Sequence, residues 1–415
     1  MAEFQLLPGD RSFRPDCTSQ AELSSACLAL GKNPGENSVL ATPDEGFGFN
    51  VNKLHRTIND KLKDLQLELF TKRAQSELPK DDQHRRALEA SDSFSNSFRI
   101  SIDSSVLLSS HEFTTAIQRK LGLALTMLAQ FVGYPIATNG KSRRLQVDAF
   151  GNNVAAAPGV SGDHARTTHD AFNTKVVQHI KEIGIHAVGG GFGSCKGFFS
   201  KSINQENVRP EDEVLINGII PDALIDGRGA PVLDGHDPTK LHSTVTLVET
   251  KGLATVNGET VEQRAEGVNR DYVRHAKALD ARYPGSKVLD DLFSYGIDGK
   301  VLALVTGALG NCSTDLLVVV DFIATIKTAR ALELRTANRD QLFSMYRRFL
   351  ISSFGLFTAR LWARHIDDRF RDAVSTQAPS CVRQLPDPDR EVIREFHSGN
   401  SRARRAQHRG SCRGA

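Results

Sequence analysis

Leu215–Ile225 reads LINGIIPDALI and Thr244–Lys251 reads TVTLVETK, and the way these two stretches lie together decides the fold. Both are rich in β-branched and aliphatic residues and are bounded by charged or glycine-containing segments, so each predicts a strand. The first carries Pro221-Asp222. The second ends in Glu249-Thr250-Lys251, with Glu249 27 positions after Asp222. Residues two apart in a strand share a face, so Glu249 and Lys251 project together. If the strands are neighbours, Asp222 meets them there.

Two carboxylates converging on one face make a hard-oxygen site suited to Mg²⁺, with Mn²⁺ as a substitute. Such an ion also accepts a backbone carbonyl, here that of Thr250, and keeps several waters. A cation at that point stabilises charge developing on a phosphate and lowers the pKa of bound water, while Lys251 orients or deprotonates the attacking water. The expected chemistry is phosphodiester hydrolysis.

The flanking sequence extends the pattern outward. His169–Ile183 places Phe172, Val176, Val177, Ile180 and Ile183 on one helical face, and Gly184 supplies a stop. Ile185–Val188 is a short apolar strand. After the E-x-K strand, Val261–Tyr283 is a charged helix ended by Pro284-Gly285, Val301–Val305 is a fourth strand, and Asp315–Ala331 is another helix. The order αβββαβ predicts an α/β core with a mixed sheet over 141–331. Glu182, on the first helix, is a further carboxylate that could join the site.

Helical appendages are expected on both sides. Segment 91–140 holds a helix at His111–Val132, and 332–376 holds the amphipathic stretch Gln341–Val374 with the single tryptophan, Trp362. Residues 1–90 are expected to be mostly disordered, with one helix near 52–75 and a polar linker at Pro79–Arg86. Residues 377–415 read as a disordered basic tail bearing Arg402, Arg404, Arg405, Arg409 and Arg413.

Composition narrows the function classes. The 415 residues carry 52 Lys and Arg against 49 Asp and Glu, a net charge of +3, so any nucleic-acid contact must come from local patches. No run approaches the roughly 18 apolar residues of a membrane span, and the N-terminus does not read as a secretory signal. The expected location is nuclear or cytoplasmic. Six scattered cysteines without a C-x-x-C pair argue against a zinc ribbon or a disulfide framework. The run GGGFGSCKG (Gly189–Gly197) lacks the endings of phosphate-binding loops, so no nucleotide cofactor is expected; it reads as a flexible loop near the active site. His164 and His169 are five apart, not at zinc-helix spacing, and Ser194-Cys195 has no evident base.

With these residues in view, the chain resembles the PD-(D/E)XK, restriction-endonuclease-like superfamily. More narrowly, Ser91–Val374 resembles the C-terminal endonuclease region of non-LTR retrotransposon polyproteins. The matching pieces include SSHEFTTAIQRKLGL (Ser109–Leu123), GDHARTTHDAFN (Gly162–Asn173), GIIPDALID (Gly218–Asp226), LVETKG (Leu247–Gly252) and VNRDYVRHAKALDARYPGS (Val268–Ser286). The resemblance implies catalytic Asp222, Glu249 and Lys251, a DNA substrate, and basic and tyrosine side chains near the DNA, here Tyr272, Lys277 and Tyr283. It also implies a phosphate-contacting or metal-supporting role for Arg166 and His169, an Arg-x-x-His pair. Such proteins commonly carry a Cys/His knuckle just before that pair. This chain has NNVAAA (Asn152–Ala157) there and no Cys between Cys27 and Cys195, so no zinc is expected. The paired aspartates of a polymerase are absent, so the resemblance implies a separated or decaying piece of a mobile element, or a domesticated one. Two outcomes stay open: a nicking DNA endonuclease, or a catalytically inactive remnant that only binds DNA or a partner.

Overall fold

The computed structural model describes residues 62, 65–66, 68–97, 108–136, 145–157, 164–189, 195–203, 208–231, 233, 241–254, 258–297, 299–334 and 338–381. Most of the expected basic tail, from 382 on, and most of the first 67 residues lie outside these; 377–381, expected in the tail, are the end of a helix. The chain divides into two compact units, Met1–Glu77 and Leu78–Ala415. In the first, 68–77 are helical, the end of the helix expected near 52–75. The elements below belong to the second unit.

Its longer elements are α1 (Ser110–Lys120), α2 (His164–Glu182), β1 (His186–Gly189), β2 (Ala223–Asp226), β3 (Val245–Leu253), α3 (Val261–Arg282), β4 (Leu302–Gly307), α4 (Thr314–Leu334) and α5 (Arg339–Cys381). From α2 to β4 the longer elements run αβββαβ, as the sequence predicts. The four strands form one mixed α/β sheet in the order β1-β2-β3-β4, antiparallel for the first two pairs and parallel for β3 with β4.

Alternation along β3 and β4 sorts side chains between two helical layers. Val248, Leu302 and Leu304 join Phe172, Val176 and Ile180 of α2, Phe322 and Ile323 of α4, and Phe354 of α5. Leu247, Ala303 and Val305 pack instead on Val261, Ala265, Val268, Tyr272, Ala276 and Leu279 of α3. Every residue of β4 is buried, as a strand covered on both faces must be. Asn269 secures the α3 layer, exchanging hydrogen bonds of 2.9 and 3.1 Å with the backbone of Val301.

Several boundaries differ from expectation: α2 starts five residues early, at His164, α5 runs on to Cys381, and three further differences have a local cause. The strand expected over Leu215–Ile225 is a short helix, Glu213–Ile216, then a turn, then β2 from Ala223. Asn217-Gly218 favours a turn and Pro221 lacks the N–H a ladder needs, so the apolar run cannot stay extended. The helix expected over His111–Val132 stops at Lys120, because Gly122 turns left-handed (φ 66°), and resumes only as a 3-10 turn at Thr126–Phe131. Within the expected linker Pro79–Arg86, Asp82 caps a helix, Gln83–Glu89.

Gly355 marks the closest approach of α5 to a neighbouring segment. A Cβ there would overlap the backbone carbonyl of Phe94, which is 1% exposed in the short helix Ser93–Ser97. Replacing a helical glycine by alanine ordinarily gains about 1 kcal/mol. Here the sign reverses: Gly355→Ala is expected to lower stability by about 1–3 kcal/mol through overpacking. A urea midpoint at or above that of the wild type would contradict the contact.

Candidate active site

Register places the site. β2 begins at Ala223, opposite Val248, so Glu249–Leu253 of β3 run on beyond it, paired only with β4. The free edge of β3 therefore opens into a cleft of about 1310 Å³. Asp222, Glu249, Thr250, Lys251, Arg166, His169 and Tyr272 all line it.

Asp222 stands at the entrance to β2. Its amide donates to the Val248 carbonyl (3.0 Å), and its Oδ2 accepts from the Thr250 amide across the strand gap (2.7 Å). The contact from Thr250 is thus through its N–H. His169, in the second turn of α2, brings Nε2 to 2.8 Å from the same Oδ2 and Nδ1 to 2.9 Å from Asp170. Asn173, one turn further, donates to the Asp222 carbonyl at 3.0 Å. Residues i and i+4 share a helical face, so one face of α2 grips Asp222 twice. That His-x-x-x-Asn spacing was the signal in the sequence by which Asn173 could have been found.

Glu249 is 5% exposed and Lys251 projects beside it, its Nζ 2.5 Å from Oε1. Oε2 accepts from the buried Tyr272 hydroxyl at 2.7 Å. Tyr272 therefore positions a carboxylate, where the resemblance suggested a DNA contact. Burial, and next the charge of Asp222, push Glu249 above the usual carboxylate range, although Lys251 opposes them. Burial and then Glu249 raise the Tyr272 phenol well above its ordinary value, so it stays a donor. Burial alone would depress His169, but the hydrogen bond and charge of Asp222 outweigh it, with Asp170 adding to them, and hold the imidazole at about 9. Burial, then the Asp222 charge, also push the Cys195 thiol up, which suits an inert thiol.

The other expected residues lie as follows. Arg166 is at the rim, its Nε 3.7 Å from Asp170. Lys277 does not reach the cleft; with Arg270 and Arg274 it borders a separate open depression on the outer side of α3. Tyr283 is 2% exposed in the core beneath α3, the Arg282 guanidinium 6.0 Å from its ring centre. Glu182 closes α2 about 20 Å along the helix from His169 and pairs with His179 at 3.1 Å, so it contributes nothing to the cleft. Gly189 does belong beside it. At φ 138° it lets β1 approach the Asp222 turn so closely that a Cβ would stand 2.6 Å from that of Ala223 and 2.7 Å from the Asp222 carbonyl oxygen. Gly190–Ser194 of the expected loop lie outside the described residues.

Where the resemblance would place a zinc knuckle, side chains hold the backbone. Arg369 donates to the carbonyls of Val154 (2.9 Å) and Ala157, and His365 Nε2 is 3.2 Å from that of Ala155. Burial depresses the His365 imidazole to about 4, so it is neutral. Arg119 of α1 donates to the carbonyls of Phe150 (2.6 Å) and Ala308 (2.9 Å) and to the Asn152 side chain (3.2 Å).

No family model, curated protein or solved structure matches the chain.

Two carboxylates, each held by hydrogen bonds and backed by cationic groups, can bind a hard cation and face a phosphate. Among the described residues no group of three or more His, Cys, Asp or Glu side chains has the geometry to hold a metal by itself. Asp222 and Glu249 fit Mg²⁺, which binds through one or two carboxylates and retains its waters. No described helix is long and apolar enough to cross a membrane.

Proposed function

We propose that this chain is a metal-dependent DNA endonuclease of restriction-endonuclease-like architecture, related to the nuclease region of non-LTR retrotransposons. The observation that carries this reading is the meeting of Asp222, Glu249 and Lys251 in one cleft at the free edge of β3. Asp222 and Glu249 would hold Mg²⁺ or Mn²⁺, which when bound supplies charge for the phosphate oxygens and acidifies a water. Tyr272 fixes the rotation of the Glu249 carboxylate. The Thr250 amide and His169 fix that of Asp222. Lys251, half-exposed at the cleft surface, is placed to orient the water or meet the scissile phosphate. Arg166 at the rim, and the Arg270, Arg274 and Lys277 side on α3, would contact phosphates farther along the strand. A DNA substrate would place the protein in the nucleus.

One observation favours the alternative of a binding remnant. Both Glu249 oxygens and one Asp222 oxygen are already engaged by protein donors. Purified full-length protein incubated with supercoiled plasmid separates the two. The expected result is conversion to open circles with Mg²⁺ or Mn²⁺, none with EDTA, and a rate at least about 100-fold lower for Lys251→Ala. A folded wild type that retards DNA on a gel but leaves it supercoiled is the remnant.

A further inference from the structure

The helix that ends at Glu77 in the first unit carries an open apolar stripe. Leu62, Leu65 and Leu69 are three and four residues apart, so they share one helical face, and they are 47%, 40% and 66% exposed. Among the large apolar side chains described, only Val214 is more exposed than Leu69. Ala74, rotated by about 140° from Leu69 on the same helix, is buried instead. The helix is thus covered on one side and bare on the leucine side. A single exposed leucine needs no explanation, but a row of them along one face marks a contact surface. A helix of this length gains little from its own backbone in water, and its stability comes from packing such a face.

Spacing and charge say what packs there. With Leu62 and Leu69 at the first position of a seven-residue repeat, Leu65 stands at the fourth, and in the sequence Ile58 and Val51 take that fourth position in the two preceding repeats, interrupted at a first position by His55. About three repeats of this kind form the seam of a coiled coil, in which the leucines of one helix enter the gaps between those of another. The same repeat puts Glu68 at its seventh position and Arg73 at the fifth of the next. In a parallel pair of helices those two positions face each other across the seam. The stripe is therefore complementary in charge to its own copy, and by two-fold symmetry the acid–base contact is made twice. Within the chain the two side chains already lie along the helix surface, Glu68 on Lys72 at 2.7 Å and Arg73 on Glu77 at 2.9 Å. A helix lying on a lipid surface would instead flank its apolar face with cations alone, whereas acids and bases alternate here.

We propose that this helix pairs with the same helix of a second copy of the chain, parallel and in register, through Leu62, Leu65 and Leu69, with Glu68 of each copy against Arg73 of the partner subunit. The pairing rests on the stripe and its charges and is independent of the nuclease reading.

Full-length protein at micromolar concentration is expected to show twice the mass of one chain in sedimentation equilibrium. Leu65→Glu/Leu69→Glu changes two exposed side chains that belong to none of the hydrophobic clusters of the second unit. It is expected to leave the near-ultraviolet circular dichroism of that unit unchanged and to weaken association at least about 100-fold, to a monomer. Glu68→Arg alone sets arginine against arginine and is expected to weaken association about ten-fold, and adding Arg73→Glu to the same chain restores it. A monomeric wild type overturns the proposal, and slow hydrogen exchange over 65–74 in that monomer would mean that the chain covers the stripe itself. A dimer indifferent to Leu65→Glu/Leu69→Glu overturns it equally. A dimer that depends on the leucines but is not restored by the second charge change overturns the parallel register.

Discussion

Asp222→Asn is expected to abolish metal-dependent nicking, by at least about 1,000-fold, because it removes one of the two charges available to a cation while preserving shape. The same change has a second signature in metal-free protein. Asp222 is the chief reason the His169 imidazole stands at about 9 instead of its ordinary 6.5. A cation whose folded value is raised contributes stability that is complete below the unfolded value and disappears as pH climbs through the folded one. Wild-type stability in EDTA should therefore decline between about pH 6.5 and 9. The decline is bounded at about 3 kcal/mol and is smaller in practice because the His169 side chain is 22% exposed. Asp222→Asn should flatten that slope. Urea midpoints at pH 6, 7.5 and 9 measure it, beside plasmid nicking at neutral pH. An Asn variant that nicks like the wild type would remove Asp222 from the chemistry; an unchanged slope would mean that His169 does not titrate through it.

Arg119→Met is expected to have the largest effect on folding, about 3–5 kcal/mol. Arg119 is 3% exposed, and burial pushes its guanidinium down to about 10, with Asp148 opposing, so it remains charged at neutral pH. Its three acceptors come from separate stretches: Ala308 after β4, and Phe150 and Asn152 at the turn that opens the short helix Asn152–Ala156. Methionine fills much of the volume but donates to none of them, leaving the buried Ala308 carbonyl unsatisfied at about 1–3 kcal/mol and releasing the two part-buried contacts that hold the turn. The penalty should appear as a lowered urea midpoint. It should also appear as faster hydrogen exchange around Asn152–Ala157, since those amides lose the anchor that ties them to α1. A cost under about 1 kcal/mol would show that the turn stands without it.

Much of the site was legible because local periodicity carries it. Glu249 and Lys251 are two apart in a strand, so their common face follows from the pleat alone. The αβββαβ order follows from where apolar runs alternate with helical stripes. On α3 the same arithmetic could have gone further. Tyr272 falls in register with Val268, Ala276 and Leu279 on the buried face, whereas Lys277, five residues on, is rotated by about 140° to the opposite side. Lys277 therefore borders the depression on the outer side of α3 and not the cleft, and Tyr283, just past the end of the helix at Arg282, is buried beneath it.

Other features needed the folded chain. That β2 starts at Ala223, leaving the end of β3 with a free edge, depends on Asn217-Gly218 and Pro221 overriding an apolar run. His169 meets Asp222 across 53 positions, Tyr272 meets Glu249 across 23, and Arg369 meets Val154 across 215. By itself the sequence determined which faces of its helices turn inward and that Glu249 and Lys251 share a strand face, because those depend on neighbours within one or two turns of backbone. Only the tertiary structure decided what each inward group touches, since an isolated buried carboxylate, phenol or guanidinium is too costly to leave unpaired. Its partner comes from whatever distant segment the packing of helices on the sheet brings within hydrogen-bonding reach.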